Sequence, residues 1–393
     1  MEIIIFKRGE IKNDYFRNEI LFENKVIHKN ECYGNFPDLD CTKCKIDLLD
    51  AKDEKYRQAA VKYLHVYELI KVICKKQVIS RAYFKLYEII YQEQSVFKEN
   101  LDCFFICEAP GGFIECICDI RRKKNLKTNF VSISKKGTSI NYDRYIEDSN
   151  LMHGDVTDIN TIEQTIKIVL LKFKNGLDLI TADGGFDITN YNIQEIVTSK
   201  LLLCEIYTAI STQKIGGMFI IKFFDMFCHN TIIYYLLLCS MYDFVKIIKP
   251  YTSRNSNSER YLVCYSFKGV NDELLNSLRE IIVNFKISKT YETEITGTEV
   301  FPNVIVPLQL KNKLLTFNNL VLYEQIKTIN ESIKMIQNKD FYIQNLILKI
   351  FMDNRSNLER LRLLHEYKHI LNYRINSCVK FLRNYNINIH RVN

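Results

Sequence analysis

The chain has 393 residues, of which 47% are hydrophobic and 25% charged, and its formal net charge is +8. This length allows one large domain with appended segments, and the composition is typical of a soluble globular protein. The N-terminus MEIIIFKRGE lacks the apolar core of a signal peptide, and the stretch TIIYYLLLCSMY is too short to span a membrane.

The thirteen cysteines are an odd number, and most lie inside apolar runs. This usage favours buried free thiols in a reducing compartment over a disulfide framework. One cluster differs: His28, Cys32, Cys41 and Cys44 follow the pattern H-x3-C-x8-C-x2-C in a polar region. Two interpretations stay open for these residues, a structural zinc site or ordinary loop thiols.

The first segment is predicted to be helical over much of its length. A long leader helix is expected from about Asp47 to Lys75. A second helix is expected to start at Ser80, whose hydroxyl would cap it, and to continue through RAYFKLYEII.

Residues 99 to 269 alternate short β-rich runs with helical windows, which indicates a mostly parallel sheet covered by helices. The β-rich runs are CFFICE, FVSIS, LDLITADGG, MFIIKFF, FVKIIK and RYLVCYSF. The helical windows are FIECICDIRRKK, INTIEQTIKIVLLKF, NIQEIVTSKLLLCEIYTAIS and HNTIIYYLLLCS. No helical window separates the last two runs, so they are expected to form an antiparallel hairpin at one edge.

Residues 270 to 393 are mainly helical by pattern and basic. From Lys311 onward there are fourteen Lys and Arg against six Asp and Glu, so this part carries the whole excess charge. A basic helical tail suits an anionic partner such as RNA, but a solvated helix face explains the same charges.

Charged residues cluster at the ends of the predicted strands. Glu108 follows the first run, Asp183 ends LDLITAD, Lys222 lies near the end of MFIIKFF, and Glu259 precedes RYLVCYSF. Ligands of open α/β sheets bind at the carboxyl ends of the strands, so these residues can meet in one cleft. Lys222 lies among apolar residues and needs charged partners, for which Asp183 and Glu259 are the candidates.

The loop CEAPGGFIEC does not have the spacing of a phosphate-binding loop. Two glycines let a ligand approach bare backbone, and the Glu108 carboxylate suits a ligand that carries positive charge. S-adenosylmethionine carries both an ammonium and a sulfonium group.

Five motifs in a fixed order carry a family resemblance. The stretches SRAYFKL, APGGF, ADGGF, GGMFIIKFF and KPYTSRNSNSERY resemble those of FtsJ-type RNA ribose 2′-O-methyltransferases, over about residues 78 to 268. The resemblance implies a Lys-Asp-Lys-Glu tetrad formed by Lys85, Asp183, Lys222 and Glu259. It also implies a Rossmann-like methyltransferase fold, with a mostly parallel seven-stranded sheet, an antiparallel edge hairpin, and helical N- and C-terminal extensions.

The implied organisation has three segments. Residues 1–77 form an N-terminal extension with the leader helix, residues 78–269 form the methyltransferase domain, and residues 270–393 form the basic helical region. The cofactor implied is S-adenosylmethionine and no metal is required. The matching cofactor-site residues are Glu108, Ala109, Pro110, Gly111, Gly112 and Phe113, with Asp155 at the adenine.

Within the family, the motifs are most similar to cap-specific mRNA 2′-O-methyltransferases of eukaryotes and large DNA viruses. This similarity implies methylation of the first transcribed nucleotide of capped mRNA, converting cap 0 to cap 1. Methylation of rRNA or tRNA ribose, or a non-catalytic RNA-binding scaffold of the same fold, are the alternatives. The second strand ends in Ser134 and Lys135, where many methyltransferases carry an acid for the cofactor ribose, so that contact is unassigned.

The same similarity implies where RNA binds and where the protein works. Ser80 and Asn257 match positions near the acceptor nucleotide, and Lys55, Arg57 and Lys62 on the leader helix are candidate triphosphate contacts. The expected partners are capped mRNA and other capping or transcription factors, with no membrane. The expected location is intracellular: the nucleus of a cell, or the host cytoplasm or virion for a cytoplasmic DNA virus.

The predicted chemistry centres on Lys222. An ordinary lysine is protonated at neutral pH, with a pKa of about 10.4, and cannot accept a proton. The charge of Lys85 and partial desolvation are expected to lower the pKa of Lys222, so that it acts as the base or polarises the 2′-oxygen. Asp183 and Glu259 oppose that shift, so their expected role is to orient the lysines and the methyl donor.

Overall fold

The computed structural model describes residues 4–7, 24–26, 39, 41–42, 45, 65–135, 151–185, 193–290, 294–337, 341–351 and 356–390. In these ranges the strands are β1 (Ile4–Lys7), β2 (Asn24–Val26), β3 (Asp102–Ile106), β4 (Asn129–Ser134), β5 (Leu151–His153), β6 (Leu177–Ala182), β7 (Gln213–Phe223), β8 (Tyr242–Ile248), β9 (Arg260–Phe267), β10 (Ile287–Thr290) and β11 (Glu294–Thr298). The α-helices are α1 (Val66–Ile73), α2 (Ala82–Ile90), α3 (Gly112–Arg122), α4 (Ile159–Lys172), α5 (Gln194–Thr212), α6 (His229–Met241), α7 (Asp272–Asn284), α8 (Leu308–Gln337), α9 (Phe341–Phe351), α10 (Asn357–Glu366) and α11 (Lys368–Asn384).

The chain divides into two compact units. Unit 1 comprises Met1–Gly34, Gln92–Lys249 and Glu259–Asn319, and unit 2 comprises Asn35–Tyr91, Pro250–Ser258 and Leu320–Asn393. The three segments predicted along the chain, 1–77, 78–269 and 270–393, stay a prediction.

The main sheet lies in unit 1 and has the strand order β1-β8-β9-β7-β6-β3-β4-β5. The strands from β7 to β5 pair in parallel, and β9 lies antiparallel between β7 and β8. The predicted mostly parallel seven-stranded sheet with its antiparallel hairpin is therefore confirmed. An eighth strand extends it, because β1 pairs antiparallel with β8 and lies outside the hairpin.

The central strands are apolar because the sheet is covered by helices. All six residues of β6 are buried, as are the last four residues of β3 and the last five of β4. Continuous apolar runs are typical of parallel strands covered on both faces. Helix α5 packs on β6 and β7, and α6 packs on β8 and β9. The charged residues Asp183, Lys222 and Glu259 lie at or beside strand ends, where a ligand can reach them.

Two helices of unit 1 begin at residues whose side chains cap them. The side chain of Asp158 accepts a hydrogen bond of 2.9 Å from the backbone N–H of Thr161 at the start of α4. Asn271 accepts one of 2.9 Å from the N–H of Leu274 at the start of α7. Such caps satisfy backbone donors that have no partner inside the helix.

All six predicted β-rich runs and all four predicted helical windows of the central region form the expected element types. The sequence pattern missed β5, because three residues are too few to display a period. It also missed β2, β10 and β11, which form a small antiparallel sheet in the order β10-β11-β2. Two of these strands lie within the C-terminal segment that was predicted to be mainly helical.

The N-terminal helices differ from the prediction in their bounds. Ser80 does not cap the second helix: α2 begins at Ala82, and the carbonyl of Ser80 accepts a hydrogen bond of 3.2 Å from the N–H of Tyr83. The prediction of a Ser80 cap was therefore wrong. Of the leader helix, the structure describes α1, which ends at Ile73, and residues 46–64 lie outside the described residues.

Unit 2 contains α1, α2, the loop 250–258 and the C-terminal helices. Helix α1 packs against α10 and α11, and Cys74 forms a β-bridge with Ile389 near the end of the described chain. Helix α10 begins with a capping box in which Ser356 and Glu359 bond to each other's backbone N–H groups. Among the described residues, no helix is both long enough and apolar enough to cross a membrane.

Candidate active site

Three of the four predicted tetrad residues belong to unit 1, at the carboxyl ends of its central strands. Asp183 follows β6, Lys222 is the penultimate residue of β7, and Glu259 directly precedes β9. In the sheet register, Lys222 lies opposite Tyr261 of the antiparallel strand β9. This register brings the start of β9 to the same edge as the ends of β6 and β7, as the sequence predicted.

Lys222 and Asp183 are in direct contact. The Nζ of Lys222 lies 3.2 Å from Oδ1 of Asp183 and donates a hydrogen bond of 2.9 Å to its backbone carbonyl. The hydroxyl of Tyr261 donates a hydrogen bond of 2.8 Å to the same Oδ1. Lys222 is 9% and Glu259 is 6% exposed, so this charge cluster is largely removed from water. The pairing of Lys222 with Asp183, predicted from the apolar strand around it, is confirmed.

The pKa of Lys222 departs from the sequence-based expectation. Burial lowers this pKa, but the charges of Asp183 and Glu259, and the hydrogen bond to Asp183, hold it above its usual value. The carboxylates of unit 1 therefore outweigh desolvation, and the expected lowering does not arise from the groups around Lys222 in this unit. A protonated Lys222 is suited to polarise an oxygen and to stabilise negative charge that develops on it.

Lys85, the fourth tetrad residue, lies in unit 2. It is on α2 and only 5% exposed, which is unusual for a lysine on a helix. Its role beside Lys222 stays a prediction.

Glu205 is a buried acid that the sequence analysis missed. It is fully buried on α5, and its carboxyl lies beside the Cys107 thiol and the N–H of Gly184. Burial raises its pKa to about 8, although the positive charge of Lys222 lowers it. A lone acid in the apolar run KLLLCEIYTAIS was the signal available in the sequence.

The close approach of Glu205 explains one glycine of the ADGG motif. A Cβ atom built on Gly184 would lie 2.1 Å from Oε1 of Glu205, far closer than atoms can approach. Gly184 therefore allows the carboxyl of Glu205 to pack directly under the turn that carries Asp183.

We expect Glu205 to make the stability of the protein depend on pH. Its pKa of about 8 lies above the usual value of 4.5, so the folded state binds the proton more tightly than the unfolded chain. The free energy of unfolding should therefore fall as the pH rises from about 5 to 8, by up to about 1.4 kcal/mol per pH unit from this group. Glu205→Gln should flatten this decline in urea unfolding measured at several pH values. Glu280→Gln, at an exposed position, is the control, and a decline equally steep in Glu205→Gln and the wild type would refute the assignment.

The loop after β3 has the features of a cofactor loop. Gly111 adopts a left-handed conformation with φ 112°, which favours glycine, and α3 begins at Gly112. The N–H of Ala109 donates a hydrogen bond of 2.9 Å to Oγ of Ser134, and the Ala109–Pro110 peptide bond is cis. Ser134, which stands where an acid was expected, thus holds the loop from the end of β4.

Glu108 has two roles in this loop. Its Oε1 accepts hydrogen bonds of 2.7 and 3.1 Å from the N–H groups of Phe113 and Ile114, which caps α3. Its Oε2 is buried without a hydrogen-bond partner among the described residues, and burial holds the pKa of this carboxyl well above its usual range. An ammonium group would satisfy Oε2 and restore the charged form. The loop therefore fits the amino-acid end of S-adenosylmethionine, and the sequence analysis had missed the capping role.

Asp155 was predicted to contact the adenine, and that role stays a prediction. It follows β5, and its Oδ1 accepts hydrogen bonds from the N–H and the hydroxyl of Thr157, at 2.9 and 2.7 Å. Its side chain is 47% exposed and lies 3.9 Å from Nζ of Lys135. Although partial burial raises its pKa, the bonds from Thr157 and the charge of Lys135 outweigh this and lower it. Asp155 is an ionised, accessible acceptor next to the residue that replaces the expected ribose ligand.

The predicted RNA contacts are placed only in part. Ser80 and Asn257 lie in unit 2, where the N–H of Asn257 donates a hydrogen bond of 3.2 Å to the carbonyl of Arg254. Lys55, Arg57 and Lys62 lie outside the described residues.

The zinc question stays open. Cys41 is exposed, while His28, Cys32 and Cys44 lie outside the described residues. Within the described part of the chain, no group of three or more His, Cys, Asp or Glu residues is arranged to hold a metal. Near the cofactor loop, Cys116 is buried on α3, and Cys107, which directly follows β3, is partly buried.

Comparison with known proteins places this site in a family context. A sequence model of the FtsJ-like methyltransferase family matches residues 78–267. Cap-specific mRNA (nucleoside-2′-O-)-methyltransferase 2 of Mus musculus is 30% identical over 321 residues, covering 74% of this chain and 40% of the relative. Cap-specific mRNA (nucleoside-2′-O-)-methyltransferase 1 of Mus musculus is 29% identical over 341 residues, covering 78% of this chain and 39% of the relative.

The chain thus spans about two fifths of the length of these curated relatives. Among solved structures, a candidate ribosomal RNA methyltransferase from Plasmodium falciparum is 25% identical, with a TM-score of 0.39. That similarity covers 49% of this chain and 99% of the other.

Proposed function

Because residues 78–267 form an FtsJ-like methyltransferase domain, we propose that the protein methylates RNA ribose 2′-hydroxyls with S-adenosylmethionine as the donor. We propose further that its acceptor is the first transcribed nucleotide of capped mRNA, so that it converts cap 0 to cap 1. The observation that carries this proposal is the contact of Lys222 with Asp183 at the strand ends. The cap specificity is supported by the cap-specific mRNA methyltransferases among the relatives.

S-adenosylmethionine supplies an activated methyl group, so the protein must hold the two substrates in line and adjust the charge on the accepting oxygen. For the cofactor, Oε2 of Glu108 would bind the ammonium and the backbone at Gly111 and Gly112 would lie against the methionine part. Phe113 is fully buried with its ring 6.0 Å from that of Tyr261, so it supports the loop from behind. Asp155 would bind at the adenine end.

For the acceptor, Lys222 is the residue placed to act on the 2′-oxygen. As a cation it donates a hydrogen bond to the 2′-oxygen and stabilises negative charge that develops on it. The oxygen attacks the sulfonium methyl, the bond from methyl to sulfur breaks so that S-adenosylhomocysteine would leave, and the hydroxyl proton passes to water. Asp183 fixes the direction of the ammonium through two contacts, and Tyr261 in turn fixes Asp183. Glu259 adds negative charge that keeps Lys222 protonated.

The decisive comparison is between capped and uncapped RNA of one sequence. We expect the protein to transfer radiolabel from S-adenosylmethionine to the RNA with an N7-methylguanosine cap, and at most weakly to the uncapped RNA. Equal transfer to both would instead support an rRNA or tRNA ribose methyltransferase. Cofactor binding without transfer to any RNA would support a non-catalytic scaffold.

The proposed substrate also suggests partners and a place of action. We propose that capped mRNA is the main partner, with other capping or transcription factors, and that the protein works inside the cell where transcripts are capped. This would be the nucleus for a cellular protein, and the host cytoplasm for a cytoplasmic DNA virus.

A further inference from the structure

Unit 2 contains a small open cavity that the proposed methyl transfer does not use. Its volume is about 160 Å³, and all the residues around it belong to unit 2. Three separate segments contribute the lining: the start of α1, the loop 250–258 and the helix α11. The lining residues are His65, Leu69, Tyr251, Ser253, Asn255, Tyr373, Arg374 and Ser377.

The size of this cavity limits its ligand. Pockets that enclose a complete drug-sized or cofactor-sized molecule measure roughly 300–1,000 Å³. The smaller cavity of unit 2 has room for a single flat ring such as a nucleobase. It is therefore suited to one unit of a polymer and not to a whole cofactor.

Two tyrosines form the aromatic part of the cavity and are unusually accessible. Tyr373 is 87% and Tyr251 is 43% exposed, although tyrosine commonly buries most of its ring. An exposed aromatic ring beside a cavity offers a face on which a base can stack.

Tyr251 is held rigidly in this position. Its hydroxyl bonds to Oγ of Ser377, and its ring stacks on Phe381 with centroids 5.4 Å apart and an interplanar angle of 29°. Its N–H donates a hydrogen bond of 2.7 Å to Oε2 of Glu88, and the N–H of Thr252 donates one of 2.8 Å to Oε1. Glu88 is thus a clamp that fixes the loop carrying Tyr251. Because Tyr251 is already fixed, less conformational entropy is lost when a ligand binds against it.

The charge of the same surface favours an anion. Arg374 lines the cavity and directly follows Tyr373 on α11, a helix that carries no acidic residue. A guanidinium group pairs well with phosphate oxygens. Ser253 and Asn255 add hydroxyl and amide groups that can bond to the edge of a base. One cavity therefore offers an aromatic face for a base, a guanidinium for a phosphate and polar groups for the edge of the base. These are the contacts that a single nucleotide needs.

We propose that this cavity binds a single unpaired nucleotide of the RNA substrate, with its base on the tyrosines and its phosphate on Arg374. The inference rests on the proposed function, because that function supplies RNA as the ligand. It adds an RNA contact in unit 2, to which the C-terminal helix α11 contributes Tyr373, Arg374 and Ser377. It also gives a role to the basic C-terminal region, for which the sequence analysis left two interpretations open.

The test measures the affinity of the full chain for a short fluorescently labelled single-stranded RNA, uncapped and capped, by anisotropy. Tyr373→Ala should weaken binding by about tenfold, since loss of one stacked base costs that much or more. Arg374→Ala should weaken binding and reduce the slope of log affinity against log salt by about one. Both residues contact solvent, so neither change should unfold the protein.

Matched controls separate this site from a general charge effect. Lys380→Ala removes a positive charge from the exposed part of the same helix, and Tyr323→Ala removes a tyrosine that is 64% exposed elsewhere in unit 2. Both controls should bind the RNA nearly as the wild type does.

Unchanged affinity in both Tyr373→Ala and Arg374→Ala would overturn the proposal. The proposal would also be overturned if the protein bound a hexaglutamate peptide, both variants lost that binding, and the RNA affinity of both variants were unchanged. That result would indicate a protein partner. Methyl transfer by the wild type is assayed separately on capped RNA. If the wild type transfers methyl groups and both variants bind RNA with unchanged affinity, only the cavity proposal is rejected. If the wild type does not transfer methyl groups but the variants bind RNA more weakly, only the proposed function is rejected.

Discussion

Lys222→Ala should abolish methyl transfer, lowering the rate at least a hundredfold while leaving S-adenosylmethionine binding intact. The reason is that Lys222 is the ammonium group held in the cleft by Asp183, at 3.2 Å from Oδ1 and 2.9 Å from the carbonyl. A group that supplies a proton, or stabilises charge in the transition state, commonly contributes a factor of 10² to 10⁴. The measurement is single-turnover transfer of radiolabel to capped RNA, with cofactor binding followed by calorimetry.

Lys214→Ala is the matched control. Lys214 lies on the same strand as Lys222 but at its opposite end, where its Nζ lies 2.6 Å from Oδ1 of Asp178. Its loss should leave the rate of methyl transfer nearly unchanged. If Lys222→Ala kept more than a few per cent of the transfer while binding the cofactor normally, Lys222 would not be the central residue of the reaction.

Arg121→Ala should destabilise unit 1 by about 2–4 kcal/mol. The Arg121 side chain is fully buried and donates hydrogen bonds to the backbone carbonyls of Val96, Lys98, Glu99 and Lys127. These carbonyls lie on the segments that lead into β3 and β4, so one guanidinium ties both strands to α3. Truncation leaves the carbonyls buried and unpaired, and each unpaired group costs about 1–3 kcal/mol, with incomplete additivity. Urea or thermal unfolding of the full chain measures the loss.

Arg122 provides the control for this change. It is the next residue on α3 and is exposed, so Arg122→Ala removes the same charge without leaving buried carbonyls. We expect it to change the free energy of unfolding by less than about 0.5 kcal/mol. Equal losses for the two variants would show that the buried hydrogen bonds of Arg121 do not stabilise the fold.

The central fold was predictable because long elements repeat a pattern. Runs such as LDLITAD and windows such as INTIEQTIKIVLLKF are long enough to display continuous apolar character or helical spacing. Two of the four missed strands, β5 and β2, have only three residues each. Their pairing depends on neighbours that are distant in the sequence, so no local signal marks them. The Ser80 cap failed for a related reason, since the exact start of a helix depends on local geometry.

The sequence predicted which residues of unit 1 meet at the site, but it did not predict the pKa of Lys222. Strand ends in an α/β sheet meet at one edge, and this rule alone placed Asp183, Lys222 and Glu259 together. The balance of charges around Lys222 was not predictable from the sequence. It depends on the distances between Lys222 and the carboxylates around it, and on the position of Glu205 on α5. Glu108 shows the same limit: its charge suggested a cation, but its bonds to Phe113 and Ile114 depend on the turn at Gly111. The Glu88 clamp on Tyr251 joins residues more than 160 positions apart, which a single sequence does not reveal.

The most direct test of the proposed function is to locate the transferred methyl group on the RNA. Capped RNA is incubated with the protein and radiolabelled S-adenosylmethionine, digested with a nuclease that cannot cut beside a 2′-O-methylated ribose, and the labelled fragment is identified. Our account predicts that the label lies on the ribose of the first transcribed nucleotide, in a fragment that retains the cap. Label on an internal nucleotide, on a base or on the cap guanine would contradict it.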